Sequence, residues 1–143
     1  MTHWREVPVD RWRAECAALL ADGLVYFDML SAAELPDGSG VEITVHVAEP
    51  VTPIRHGFLV TRVAYDEALP SIAAVYAGAA WHEREIHEMF GLAIDGHPDL
   101  RPLLLDGSGG APLRKSHHLA ARVETPWPGR EGRKRPLGVP REQ

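Results

Sequence analysis

Hydrophobic and polar positions alternate most cleanly over residues 41–47, with Val41, Ile43, Val45 and Val47 on one face and Glu42, Thr44 and His46 on the other. A two-residue period of this kind predicts a strand with one buried face. After a turn marked by Pro50 and Pro53, residues 54–63 read as its antiparallel neighbour, because a short connection joins adjacent antiparallel strands whereas a parallel return needs a crossover. Upstream, residues 24–30 are a continuous apolar run broken by Asp28, which predicts a strand buried on both faces. Residues 31–40, with Pro36-Asp37-Gly38, read as a loop. The period turns helical at Trp12, Cys16, Leu19 and Leu20, spaced i, i+4, i+7, i+8. Asp10 stands where an N-cap belongs and Gly23 where the helix should end.

Residues 69–76 predict a short helix beginning at Pro70 or Ser71, and residues 79–90 a stronger one closed by Gly91. A short strand over 92–94 follows. The expected fold is therefore α+β, a small antiparallel sheet of three to four strands packed against helices. A globular domain over residues 1–111 is followed by an extended Pro/Gly-rich strap over 112–143.

Charge sharpens this division. Residues 112–143 hold eight Lys or Arg against three Glu, a net +5, so the formal −5 of the whole chain leaves −10 on the body. Seven of the fifteen residues from 126 to 140 are Pro or Gly, a composition that favours extended backbone needing a partner to order it. The lone Cys16 forbids an intramolecular disulfide and any cluster built on several thiolates of this chain, and its helical position predicts a small core residue. The first six residues carry neither the basic start nor the apolar run of a signal peptide. The longest near-apolar stretch, residues 72–81, is far short of the roughly 20 residues of a membrane span, so the expectation is a cytoplasmic protein.

The helix Trp81-His82-Glu83-Arg84-Glu85-Ile86-His87-Glu88-Met89-Phe90 invites a metal-dependent hydrolase reading, but His82 and His87 are five residues apart, and two ligands on one helix face need a spacing of four. Glu85 and Glu88 could form an acid/base pair, or Arg84 could neutralise Glu88 at i, i+4. The economical reading packs Ile86, Met89 and Phe90 on the sheet and turns the carboxylates outward, where they invite a partner bearing arginine. In Gly96-His97-Pro98-Asp99-Leu100-Arg101, a plain surface turn and a recognition turn are equally consistent with the spacing. The basic tail could bind nucleic acid nonspecifically, yet Trp127 is its only aromatic. Gly107-Ser108-Gly109-Gly110 lacks the Lys-Ser/Thr of a phosphate loop and reads as a flexible link.

In order along the chain, Glu83-Arg84-Glu85, Glu88-Met89-Phe90-Gly91, Gly96-His97-Pro98-Asp99-Leu100-Arg101, Leu103-Leu104 and Pro112-Leu113-Arg114-Lys115 resemble the signature of the C subunit of bacterial NADH:quinone oxidoreductase, respiratory complex I. The chain departs from the family pattern at Glu88, where aspartate is common, and at Gly110-Ala111-Pro112-Leu113-Arg114-Lys115-Ser116, which lacks an imidazole and a carboxylate. Residues 119–123 with Pro126-Trp127-Pro128-Gly129 are similar to short actinobacterial-type versions.

The resemblance implies a cofactor-free, non-catalytic scaffold on the cytoplasmic side of the membrane. Its implied partners are the quinone-site (D) subunit and neighbouring iron–sulfur subunits. It implies docking through Glu83, Arg84, Glu85, Glu88, His97, Asp99 and Arg101, with Arg114, Lys115 and Trp127 on the strap. The equivalent subunit of a membrane-bound nickel–iron hydrogenase or formate hydrogenlyase is the alternative it leaves open.

Overall fold

A computed structural model describes residues 2–107 and 110–118. The central strands are β3 (Gly40–Glu49) and β4 (Arg55–Ala64), joined through the turn that holds Pro50 and Pro53 and paired antiparallel from Gly40↔Ala64 to Glu49↔Arg55. Val41, Ile43, Val45 and Val47 are completely buried, so the strand read from alternation presents its core face as expected. At the far end of the pair the backbones come very close. A Cβ on Gly40 would lie 2.2 Å from the Val63 carbonyl oxygen, so only glycine fits there.

β2 (Tyr26–Glu34) pairs antiparallel with β3, with a register shift between Phe27 and Met29. It differs from the expected doubly buried strand: only Leu30 is buried, because helices cover one face alone. It also runs four residues further than expected, since Ser31 to Glu34 continue the ladder against Val41–Thr44. The loop shrinks to a turn over 35–39, where Asp37 Oδ1 accepts the Ser39 N–H and hydroxyl.

β1 (Thr2–Glu6) was not visible in the hydrophobic pattern, having four polar residues in five. It joins the other edge of the sheet, parallel to β4, so the order is β1-β4-β3-β2 and the sheet is mixed.

Helix α1 (Trp12–Ala21) follows a short 3-10 turn, Val9–Arg11. Asp10 belongs to that turn and does not cap α1, whose N-cap is Arg11 without a side-chain bond. Trp12 and Cys16 are fully buried, Leu19 and Leu20 partly so, and Gly23 follows the helix with φ +93°. Burial pushes the Cys16 thiol up to about 12, as befits a core residue.

The helix expected over 69–76 does not form. Instead β5 (Ala68–Pro70) pairs parallel with β6 (Ala93–Asp95), and a single turn follows in which the Val75 and Tyr76 N–H groups donate to the Ile72 carbonyl. Leu69, Ile72 and Tyr76 mimic helical spacing but are spent on core contacts from a strand and the turn that follows it.

Helix α2 (Ala79–Phe90) ends as read, with Gly91 at φ +64° and its N–H donating to the His87 carbonyl. The helix lies against the free edge of β2: the His82 ring meets Phe27 edge-on, and His82 Nδ1 donates to the Leu30 carbonyl at 3.0 Å. That bond satisfies one backbone carbonyl of the edge strand.

Candidate functional site

Helix α2 carries most of the expected docking residues, and its buried stripe explains where each one goes. Ala79, Glu83, Ile86 and Phe90 form that stripe. Glu83 is therefore not an outward carboxylate, as expected, but a fully buried one. Its Oε2 accepts the Ser71 hydroxyl and its Oε1 the Ile72 N–H, both at 2.6 Å, which ties α2 to the segment after β5. Burial pushes the Glu83 carboxyl above its ordinary value. Those two hydrogen bonds, with His97 and Arg13 nearby, offset only part of the rise.

His97, expected to face a partner, is also turned inward, its side chain 1% exposed. It accepts the Asp99 N–H at Nδ1, which makes Nε2 the donor to the Ala80 carbonyl at 3.0 Å. The imidazole thus fastens the 96–101 turn to the start of α2. Asp99 and Arg101 face each other at 2.7 Å, and Arg101 holds the Asp99 carboxyl down at about 2. Exposed as it is, this pair shapes the turn and adds little stability.

Arg84 and Glu88 anchor the rest of the turn instead of neutralising each other directly. Arg84 donates to the Arg101 and Pro102 carbonyls at 2.9 and 2.8 Å. The Glu88 carboxylate accepts the N–H groups of Leu103, Leu104 and Leu105, the last two at 2.7 and 2.9 Å. Burial alone would raise the Glu88 carboxyl, but these amides and Arg84 outweigh it and the net direction is down. A cleft of about 240 Å3 opens between α2 and the turn, lined by Arg84, Glu88, Leu100, Arg101, Leu105 and Ala111 among others.

Arg114 and Lys115 grip the chain's own body. Arg114 Nε donates to the Phe90 carbonyl at 2.6 Å, completing the C-terminus of α2, and its guanidinium lies 3.7 Å over the Tyr65 ring. Glu34 accepts the Lys115 N–H at 2.6 Å and the Tyr65 hydroxyl at 2.9 Å, and these bonds hold its carboxyl below the ordinary range. Arg114→Ala is expected to cost about 1–2 kcal/mol in urea denaturation, with Arg114→Lys recovering little of it because an ammonium cannot stack and fork in the same way. Trp127 lies outside the described residues.

Glu85 is exposed, and among the described residues nothing bonds its carboxylate. The sequence did not mark out its companions. Trp81, 65% exposed with Arg84 5.9 Å from its ring centre, Leu104 and Leu113 are three large apolar side chains facing solvent on α2 and the loops docked to it. An exposed tryptophan at a polar helix position was the available signal.

The four residues of the hydrolase reading do not converge. His82 and His87 each bond a backbone carbonyl through Nδ1, Glu83 is buried and Glu85 is exposed. Among the described residues, no group of three or more His, Cys, Asp or Glu is placed to hold a metal ion. No helix among them is long and apolar enough to cross a membrane.

The two-layer fold, with its mixed sheet and the turn anchored by Glu88, defines a small α+β domain. The chain belongs to the family described as the respiratory-chain NADH dehydrogenase 30 Kd subunit, which it matches over residues 5–123. It is 34% identical over 137 residues to the C subunit of NADH-quinone oxidoreductase from Methylobacterium sp. (strain 4-46), covering 93% of this chain and 57% of that protein. It is 49% identical over 63 residues to the C/D subunit of the Methylococcus capsulatus enzyme, covering 43% of this chain and 11% of that protein. The chain thus spans little more than half of the Methylobacterium relative.

Two solved structures share the fold at 21% identity. One is the trypsin-resistant fragment (1-134) of Nqo5, with TM-score 0.61, covering 69% of this chain and 83% of that one. The other is a chain of the membrane-bound sulfane sulfur reductase, an archaeal respiratory membrane complex, with TM-score 0.63, covering 73% and 65%.

Proposed function

We propose that this chain is a cofactor-free, non-catalytic scaffold subunit in the cytoplasmic arm of a proton-translocating NADH:quinone oxidoreductase, peripheral on the cytoplasmic side of the membrane. In this reading it docks the quinone-site (D) subunit and neighbouring iron–sulfur subunits. The observation that carries it is the α2 face. Trp81, Glu85 and Leu104 are exposed beside a turn that Glu88, Arg84 and His97 hold rigid. Aromatic and arginine anchors on a fixed scaffold, next to a cleft able to take a partner's side chain, are what strong protein contacts use. The C/D subunit of Methylococcus capsulatus, in which the two are joined as one polypeptide, favours a neighbouring quinone-site subunit as the partner. Residues 112–143, with Trp127, would extend the contact as a basic strap.

Because Trp81 and Leu104 are exposed, Trp81→Glu and Leu104→Glu should leave the fold intact. In membranes of the host, either variant is expected to lower NADH:quinone activity at least about tenfold, while the purified variant chain melts as the wild type does. Full activity with both replaced would rule out this docking face.

A further inference from the structure

A second exposed apolar surface lies where the β3–β4 turn meets the start of β2, and it shares no residue with α2 or the docked turn. Of the seven large hydrophobic side chains exposed among the described residues, four are here: Val25, Tyr26, Val51 and Ile54, each at least half exposed. The strand register sets Tyr26, Ala48 and His56 side by side on the face away from the helices. A cleft of about 240 Å3 between them is walled by Pro50 and Ile54 and bordered by Asp28 and His46. Contiguous apolar surface around a ready-made cleft is a protein-contact feature.

Its floor is stiff. The His46 ring stacks on Phe58 with centroids 4.2 Å apart, and its two nitrogens meet Asp28 Oδ2 at 2.7 Å and His56 Nδ1 at 3.0 Å. Asp28 is the carboxylate that borders the cleft. The second oxygen of Asp28 has no partner among the described residues, and that carboxylate is 46% exposed. The −10 body adds a long-range field of the same sign.

We propose that this end of the sheet is a second protein-docking surface, occupied by a segment of another polypeptide that presents an aliphatic or aromatic side chain beside a lysine or arginine. The apolar side chain enters the cleft between Tyr26 and Ile54, and the cation reaches the free oxygen of Asp28. The inference goes beyond the proposed function, because it holds whatever complex the chain serves.

The test places the photoreactive residue p-benzoylphenylalanine at Val51, on the turn, in the full-length chain expressed in its host. The assembly is irradiated, and the cross-linked peptide is sequenced by mass spectrometry. The expected product is a peptide of a different polypeptide with Lys or Arg within three or so residues of an apolar anchor. Ile54→Glu is expected to cut its yield about tenfold. Asp28→Asn, which keeps an acceptor for His46 but removes the charge, is expected to cut it about threefold. A cross-link to a second copy of this chain, to its own 119–143 segment or to an acidic segment would overturn the proposal. So would a yield indifferent to both substitutions, or no cross-link in a chain that still enters the complex. That last result would leave the α2 docking face untouched, whereas loss of incorporation in Trp81→Glu bears on that face alone.

Discussion

Glu83→Ala is expected to destabilise the protein by about 3–5 kcal/mol in urea denaturation. The substitution leaves the Ser71 hydroxyl and the Ile72 N–H without their acceptor inside the core and opens a cavity where the side chain stood. Glu83→Gln keeps an acceptor of nearly the same shape and should retain most of the stability. It also isolates the charge. Burial raises the Glu83 carboxyl above its ordinary 4.5, so the folded chain holds that proton more tightly than the unfolded chain does. The corresponding stability is fully present below about pH 4.5 and is lost as pH rises through the raised folded value. Denaturation at a series of pH values should therefore show the wild type losing ground to Glu83→Gln as pH rises from 4.5 toward neutrality. A difference that does not change with pH would mean that Glu83 is not buried as described.

Glu88→Ala is expected to release the turn over residues 103–105 without unfolding the domain. Three backbone N–H groups lose the carboxylate that gathers them, so their hydrogen exchange should quicken at least about tenfold while the amides of β3 keep their protection. Glu88→Gln, with one acceptor oxygen in place of two, should fall between. The pH dependence has the opposite sign to that of Glu83. The Glu88 carboxyl is lowered, so its contribution is present above its ordinary value and lost as pH falls through the lowered one. Under the proposed function the released turn also weakens assembly, because Leu104 and the cleft it borders lose their fixed position. Unchanged exchange at residues 103–105 would contradict the anchoring role.

The contrast between these two glutamates marks what the sequence could convey. Glu83 stands three residues before Ile86 and seven before Phe90, so its place on the buried stripe was legible from spacing. Its charge suggested the opposite face, because a carboxylate is seldom buried without partners, and those partners, Ser71 and Ile72, come from irregular backbone that no period announces. Glu88 reads as exposed in a helical projection. The work of its two oxygens depends on a turn returning across α2, which is tertiary information.

The strands β3 and β4 were legible because alternation and a short turn are local signals. β1 was not, since a polar edge strand is defined by the pairing partner it finds. The helical spacing of Leu69, Ile72 and Tyr76 misled because core packing can impose the same intervals on a strand and a turn. Tyr65, Glu34 and Arg114 meet from three distant segments, and only the ordered motifs shared with the family hinted that Arg114 mattered.

The central claim, that this chain works as a scaffold within a quinone-reducing complex, meets its most direct test in purification of the N-terminally tagged protein from its host in mild detergent, with mass spectrometry of what accompanies it. Recovery of the quinone-site and iron–sulfur subunits together with NADH:quinone activity is the expected outcome. Hydrogenase subunits in their place would assign the chain to a sister complex, and a monomer recovered alone under conditions that keep the host's complex intact would contradict the scaffold role.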